Sequence, residues 1–212
     1  MLKVLSCIVV LVIVPKWEVS GHGMLMNPVN RGSIWRVDSS APPDYNDNGN
    51  FCGGFYVQHT LNGGKCGLCG DDYRNPTPRE HEDGGKYGRG VIVASYQRGA
   101  TIPVSVTITA NHQGHFYFNL CNLDVYGRET EACFSQYSLK TASGTNKYYL
   151  NSSAVGSYNF TITLPAGVSC KRCVLQWTYH VGNNWGYCDD GSGALGCGPQ
   201  ENFRTCSDIS IS

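Results

Sequence analysis

Two kinds of patterning divide this chain of 212 residues. From Arg89 onward, apolar and polar positions alternate in short runs. Ile102, Val104, Val106 and Ile108 fall on one side of an extended segment, and Ser105, Thr107 and Thr109 on the other. Tyr158–Leu164 repeats the pattern with Phe160, Ile162 and Leu164. Gly90–Ser95, His115–Cys121, Cys173–Tyr179 and Ser207–Ile211 are β-rich runs of strand length. Short strands with almost no helical period predict an all-β fold, a β-sandwich of the immunoglobulin/fibronectin-III-like kind. Gly23 to Lys86 reads differently. It is rich in Gly, Pro, Asn, Asp and Cys, with scattered aromatics and no sustained period. It predicts a long, disulfide-pinned loop region packed over one side of a sheet, with Tyr56–Leu61 as its best helical turn. No repeat or low-complexity linker interrupts the remainder, so residues 22–212 are expected to form one domain.

The start of the chain adds a compartment. Lys3 precedes an apolar run from Val4 to Val14 broken only by Ser6 and Cys7, and Val19 and Gly21 suit the −3 and −1 positions of a signal-peptidase site. Residues 1–21 therefore read as a signal peptide. The run is too short to span a bilayer, and no later stretch can, so a secreted, extracellular product is expected. Lys3, Lys16 and Glu18 leave with the signal, so 16 basic and 16 acidic residues become 14 and 15. Nothing in that balance suggests nucleic acid or an anionic membrane as partner.

Cys7 also leaves. Ten of the 11 cysteines remain, an even number that in an oxidising compartment predicts up to five disulfides. The alternative is zinc held by Cys66-x-x-Cys69 and Cys170-x-x-Cys173, but those pairs are too far apart for a ribbon site. Asn151-Ser152-Ser153 and Asn159-Phe160-Thr161 are N-glycosylation acceptors, whereas the proline in Asn75-Pro76-Thr77 excludes it.

Cleavage after Gly21 makes His22 the first residue, with an α-amine and an imidazole on one Cα. Amine nitrogen and Nδ1 can then close a six-membered chelate ring on a metal, because an α-amine with a pKa of roughly 7.7–8.0 loses its proton readily. By itself His22 is simply where the cut falls. His112 lies in Thr109–His115, where one strand ends and the next begins, and by itself reads as a solvated turn residue. Glu201 and Phe203 lie two apart before a closing strand, so both point to the same side of an extended segment. His115, three residues past His112, is expected to point elsewhere in a structural or solvated role. His59 and His81 are expected at the surface, and His180, at a strand end, has no assignment.

Together, an N-terminal His, Ala110-x-His112 at a strand turn and Glu201-x-Phe203 before the last strand resemble the lytic polysaccharide monooxygenases, most closely auxiliary activity family 15. The likeness runs over nearly all of the mature chain: His22-Gly23-Met24-Leu25 with Pro28 and Arg31, Cys66–Asp71, Leu175–Tyr179, Asn183-Asn184-Trp185-Gly186 and Cys206–Ile209. It implies one copper ion per chain in a histidine brace, held by the α-amine and Nδ1 of His22 and Nε2 of His112. Three nitrogens of this kind suit tetragonal copper(II) and tolerate copper(I). Phe203 matches the axial residue, a phenyl that cannot ligate, and Ala110 the small residue opposite. Glu201 matches an outer carboxylate that tunes the site.

The resemblance also implies oxidative cleavage at C1 or C4 of a sugar, with an external electron donor and O2 or H2O2. The substrate implied is insoluble polysaccharide, chitin first and cellulose as the close rival, attacked by a monomer. A solid polymer calls for a flat metal-bearing face, for which Trp35, Tyr45, Tyr56 and Trp185 are candidates. Hydrolysis by a carboxylate pair is a poor fit. Two other readings keep the fold. A non-catalytic chitin- or cellulose-binding module would not need His22 at the terminus. A copper-transfer protein would use the brace without oxidising sugar, which Glu201 argues against.

Overall fold

A computed structural model describes residues 21–212; the expected signal segment, Gly21 apart, lies outside them. The strands in chain order are β1 (His22–Asn27), β2 (Ala94–Tyr96), β3 (Thr101–Ala110), β4 (His115–Asn122), β5 (Tyr137–Ser138), β6 (Lys140–Thr141), β7 (Tyr148–Tyr149), β8 (Gly156–Thr163), β9 (Cys170–His180), β10 (Trp185–Tyr187), β11 (Gly193–Leu195) and β12 (Asn202–Ile211). One sheet runs β1-β3-β8-β6. The other runs β2-β12-β9-β4-β5, with β7 also against β4. β10 and β11 form a separate hairpin. This is the expected β-sandwich.

Alternation makes the core. Ile102, Val104, Val106 and Ile108 of β3 are buried, and they meet Phe116, Phe118 and Leu120 of β4, Leu175, Trp177 and Tyr179 of β9, and Phe203 and Ile209 of β12. Each large apolar side chain so buried contributes ~1.5–3 kcal/mol. β9 departs from alternation: every side chain from Cys173 to Tyr179 is buried. A strand covered on both faces has this signature, and the outer cover is the loop region.

That cover is held by covalent and polar locks. Cys69–Cys206 ties it to β12, and Cys52–Cys66 closes a loop within it. The Gln176 amide of β9 donates to the Leu68 carbonyl at 2.7 Å. Arg31 donates to Asp208 through Nε and Nη2, at 2.7 and 2.8 Å, and meets Glu129 at 2.7 Å. Burial opposes the charge on Arg31, but the two carboxylates outweigh it and hold its pKa above the usual value. The other disulfides are Cys121–Cys133, Cys170–Cys173 and Cys188–Cys197. The cysteines of both Cys-x-x-Cys pairs are thus oxidised, which removes the zinc–thiolate alternative.

Three expectations change. Gly23–Asn27 is strand rather than loop because it pairs with β3, and its pattern hides this because Gly23, Met24 and Leu25 are all buried. A Cβ at Gly23 would come within 2.6 Å of Ile108 Cδ1, so glycine lets this edge strand close onto the core. Of Gly90–Ser95, only Ala94 and Ser95 are strand, beside Tyr96, because pairing with β12 begins there; Val91 and Ile92 remain 46 % and 37 % exposed. His81 is buried rather than at the surface, its Nδ1 2.9 Å from Asp71 and its Nε2 3.0 Å from Asp44. Burial alone would lower the His81 pKa; hydrogen bonds to the two carboxylates reverse this and raise it to about 9. His59 is half-buried, with Nε2 2.8 Å from the Gln200 carbonyl. No described helix is long and apolar enough to cross a membrane.

Candidate metal centre

β1 pairs antiparallel with β3 so that His22 lies opposite Ala110. β3 ends there, and the turn to β4 carries His112. Several bonds hold this turn. The Gln113 N–H donates to Asn111 Oδ1 at 2.7 Å, and Asn111 Nδ2 donates to the carbonyls of Ser152 and Ala154 at 3.1 and 2.6 Å. The His112 N–H donates to Tyr179 Oη at 2.9 Å, and its carbonyl accepts from the Gly182 N–H at 3.0 Å. Gly114 has φ of 84°, and a side chain there would collide with the His180 carbonyl, so glycine is required.

The chain enters His22 through a narrow gap. A Cβ on Gly21 would lie 3.3 Å from His112 Nδ1 and 3.2 Å from Phe203 Cε2. Phe203 is fully buried opposite Tyr179, its ring centre 6.1 Å from that of His22 and 5.8 Å from that of Tyr179. Phe51 completes this wall, 6.3 Å from His22 and 6.1 Å from Phe203. Glu201 is buried beside the same loop, its Oε1 4.0 Å from where a Gly54 Cβ would lie. Burial, chiefly, raises the Tyr179 phenol well above the usual value, and the charge of Glu201 adds to the shift. Tyr179 is therefore a neutral phenol at pH 7.

His112 is 8 % exposed. Burial lowers its pKa, and the neighbouring His22 lowers it further, so its imidazole is neutral at pH 7. The Asn183 side-chain amide stands 2.8 Å from Nδ1. Its nitrogen Nδ2 faces the ring, and turning the amide over would present its oxygen to Nδ1–H and leave the lone pair on Nε2. Among the described residues, no three His, Cys, Asp or Glu side chains converge as a metal-binding group. His22 and His112 are brought together as an imidazole pair, with Ala110, Phe203 and Glu201 around them.

Sequence reasoning gave no role to Phe51, Asn183 or Tyr179. Phe51 reaches the site only through loop packing, which no periodicity reveals. Asn183 and Tyr179 stand in the runs that carry the resemblance, and that was their only signal. Of the aromatic candidates, Tyr45, Tyr56 and Trp185 are exposed and Trp35 is half-buried against Tyr45.

The family described as lytic polysaccharide mono-oxygenase, cellulose-degrading, matches residues 22–209. A solved structure, the lytic polysaccharide monooxygenase AA15 from Thermobia domestica in the Cu(I) state, is 48 % identical. The match covers 90 % of this chain and 98 % of that one, with a TM-score of 0.86. No curated protein matches. The match spans the strands, the His112 turn and Phe203 alike, so the chain belongs to the copper-dependent lytic polysaccharide monooxygenases, in the AA15 family.

Proposed function

We propose that the mature chain, residues 22–212, is a single secreted domain that cleaves chitin oxidatively with one copper ion held by the His22 α-amine, His22 Nδ1 and His112 Nε2. The observation that carries this reading is the position of Gly21, wedged between the His112 imidazole and the Phe203 ring. Removing residues 1–21 frees an amino group at that gap, and it becomes the main-chain donor that the two imidazoles lack. A nitrogen-only set of this kind suits copper in both oxidation states. Bound copper supplies one-electron chemistry with O2 or H2O2, driven by an external reductant, at a sugar C–H bond.

The residues of the chain orient and shield. Asn183 holds the His112 ring by its Nδ1 edge. Tyr179 Oη anchors the His112 main chain from the core side. Phe203 and Phe51 present carbon rather than donors, which excludes water and further ligands on their side. Glu201 offers a buried carboxylate beside that wall, able to accept a proton or hydrogen bond from a group at the open side. The β10–β11 hairpin exposes Trp185 and Tyr187, at 59 % and 70 %, as an aromatic pair 5.1 Å apart. Its base is tied by Gln200, which donates to the carbonyls of Asn184 and Cys197. Asn183 adjoins that base, so the exposed rings flank the histidine pair and suit a polymer surface. The exposed Asn151 and Asn159 suit N-glycans.

The test is to incubate the copper-loaded mature chain with chitin and with cellulose, each with ascorbate and peroxide, and analyse products by mass spectrometry. Oxidised chito-oligosaccharides are expected. Binding without oxidised ends would replace this reading with a non-catalytic module, and oxidised products from cellulose alone would overturn the substrate.

A further inference from the structure

Three adjacent strands carry a second polar row one rung from the copper-side aromatics. His115 of β4 lies directly opposite His180 of β9, and His180 directly opposite Asn202 of β12. Paired residues share a face of the sheet, and successive rungs alternate faces. The next rung, Phe116–Tyr179–Phe203, faces the core under the candidate metal centre. The row His115–His180–Asn202 therefore faces outward.

The two imidazole centres are 5.1 Å apart, tilted by 40°. With metal–nitrogen bonds of ~2.0–2.1 Å and the ring centre ~1.2 Å beyond, two imidazoles on one ion stand ~4.6–5.3 Å apart for N–metal–N angles of ~90–110°. The observed spacing lies in that range. His180 Nδ1 is 2.8 Å from Asn202 Oδ1. A carbonyl oxygen only accepts, so Nδ1 carries the proton and the lone pair is on Nε2, the outer-shell arrangement typical of ligating histidines. His115 rests against the Tyr149 ring, 5.4 Å away. Both imidazoles line an open cavity of about 460 Å³ with Gln113, Lys147, Tyr149 and Asn151, which leaves room for water to complete the coordination of an ion.

The geometry points to a second metal site, in which His115 and His180 jointly bind one divalent transition-metal ion of the zinc, nickel or copper(II) class, apart from the brace. Burial first, and the Lys147 charge after it, hold His115 at about 4, and burial outweighs the Asn202 hydrogen bond to hold His180 below the usual histidine pKa. Both are thus neutral ligands at pH 7. Lys147 opposes a cation in the same cavity, but its side chain is exposed and can swing away. The site is accordingly weaker than the brace.

The test is calorimetric titration of Zn(II) into the mature chain carrying one equivalent of copper, which fills only the stronger brace, with far-UV circular dichroism as the check on folding. Uptake of one zinc ion per chain is expected, with affinity falling at least tenfold in His115→Gln and in His180→Gln and rising severalfold in Lys147→Met. Among the described residues His115 has no side-chain hydrogen-bond partner, so His115→Gln keeps the test alive should His180→Gln fail to fold. No zinc uptake by the chain carrying one copper ion, or uptake unchanged in a folded His115→Gln chain, overturns the proposal.

Discussion

The sandwich core and the loop cover are stabilised by different physics. The core is apolar and repetitive: strand faces meet through Val, Ile, Leu and aromatic side chains. The cover, from Pro28 to Lys86, is held to β12 by the Arg31–Asp208 ion pair and the Cys69–Cys206 disulfide, and is braced internally by the His81–Asp71 bond. Losing a core side chain leaves a void, whereas losing one member of a lock leaves a buried charge unpaired. The histidine pair sits at the seam of the two regions, with His112 and Phe203 from the sandwich and Phe51 from the cover.

The largest expected effects test that distinction directly. Phe118→Ala, in the core, should cost ~3–5 kcal/mol of unfolding free energy in denaturant titration. Arg31→Met should cost a similar ~3–5 kcal/mol by stranding Asp208 and Glu129. The two differ in their remedy. Replacing the whole triad, with Arg31→Met, Asp208→Leu and Glu129→Met together, should recover most of the Arg31 loss. If the triple variant is less stable than the single one, the cover is not held as described.

A smaller effect concerns pH. The folded-state pKa of His81, raised to about 9 between Asp71 and Asp44, exceeds the unfolded value of ~6.5. Its contribution is therefore complete below pH ~6.5 and disappears as pH rises through ~9, a loss of ~3 kcal/mol. Denaturation midpoints between pH 6 and 10 should show this slope, and His81→Gln should abolish it while the core is unchanged. A slope that persists in His81→Gln would assign it to another group. Smaller again, Asn183→Leu should weaken copper binding by roughly 10–100-fold with little change in stability, because it removes only the hydrogen bond that orients the His112 ring. Unchanged affinity would mean that Asn183 does not orient His112.

Legibility in the sequence follows the same divide. β3 and β8 are readable because one face is buried and the other wet, so residue type alternates. β1 is not, because Gly23 has no side chain to report burial and Met24 and Leu25 are both covered. His81 looks like a surface loop residue because its partners lie 10 and 37 positions away, and only the fold brings them together. The histidine pair could be named in advance because its chemistry depends on a cleavage site and a strand turn, both local features. The wall around it could not, since Phe51 meets His22 and Phe203 through loop packing alone.

The central claim is that a freed amino group at His22 joins two imidazoles on one copper ion. It is tested most directly by copper titration of two purified chains, one beginning at His22 and one retaining Gly21. The chain beginning at His22 should bind a single copper ion with a type-2 cupric spectrum, and the chain retaining Gly21 should lose at least ~100-fold in affinity, or ~2.7 kcal/mol. Equal affinity and identical spectra for the two chains would contradict the account.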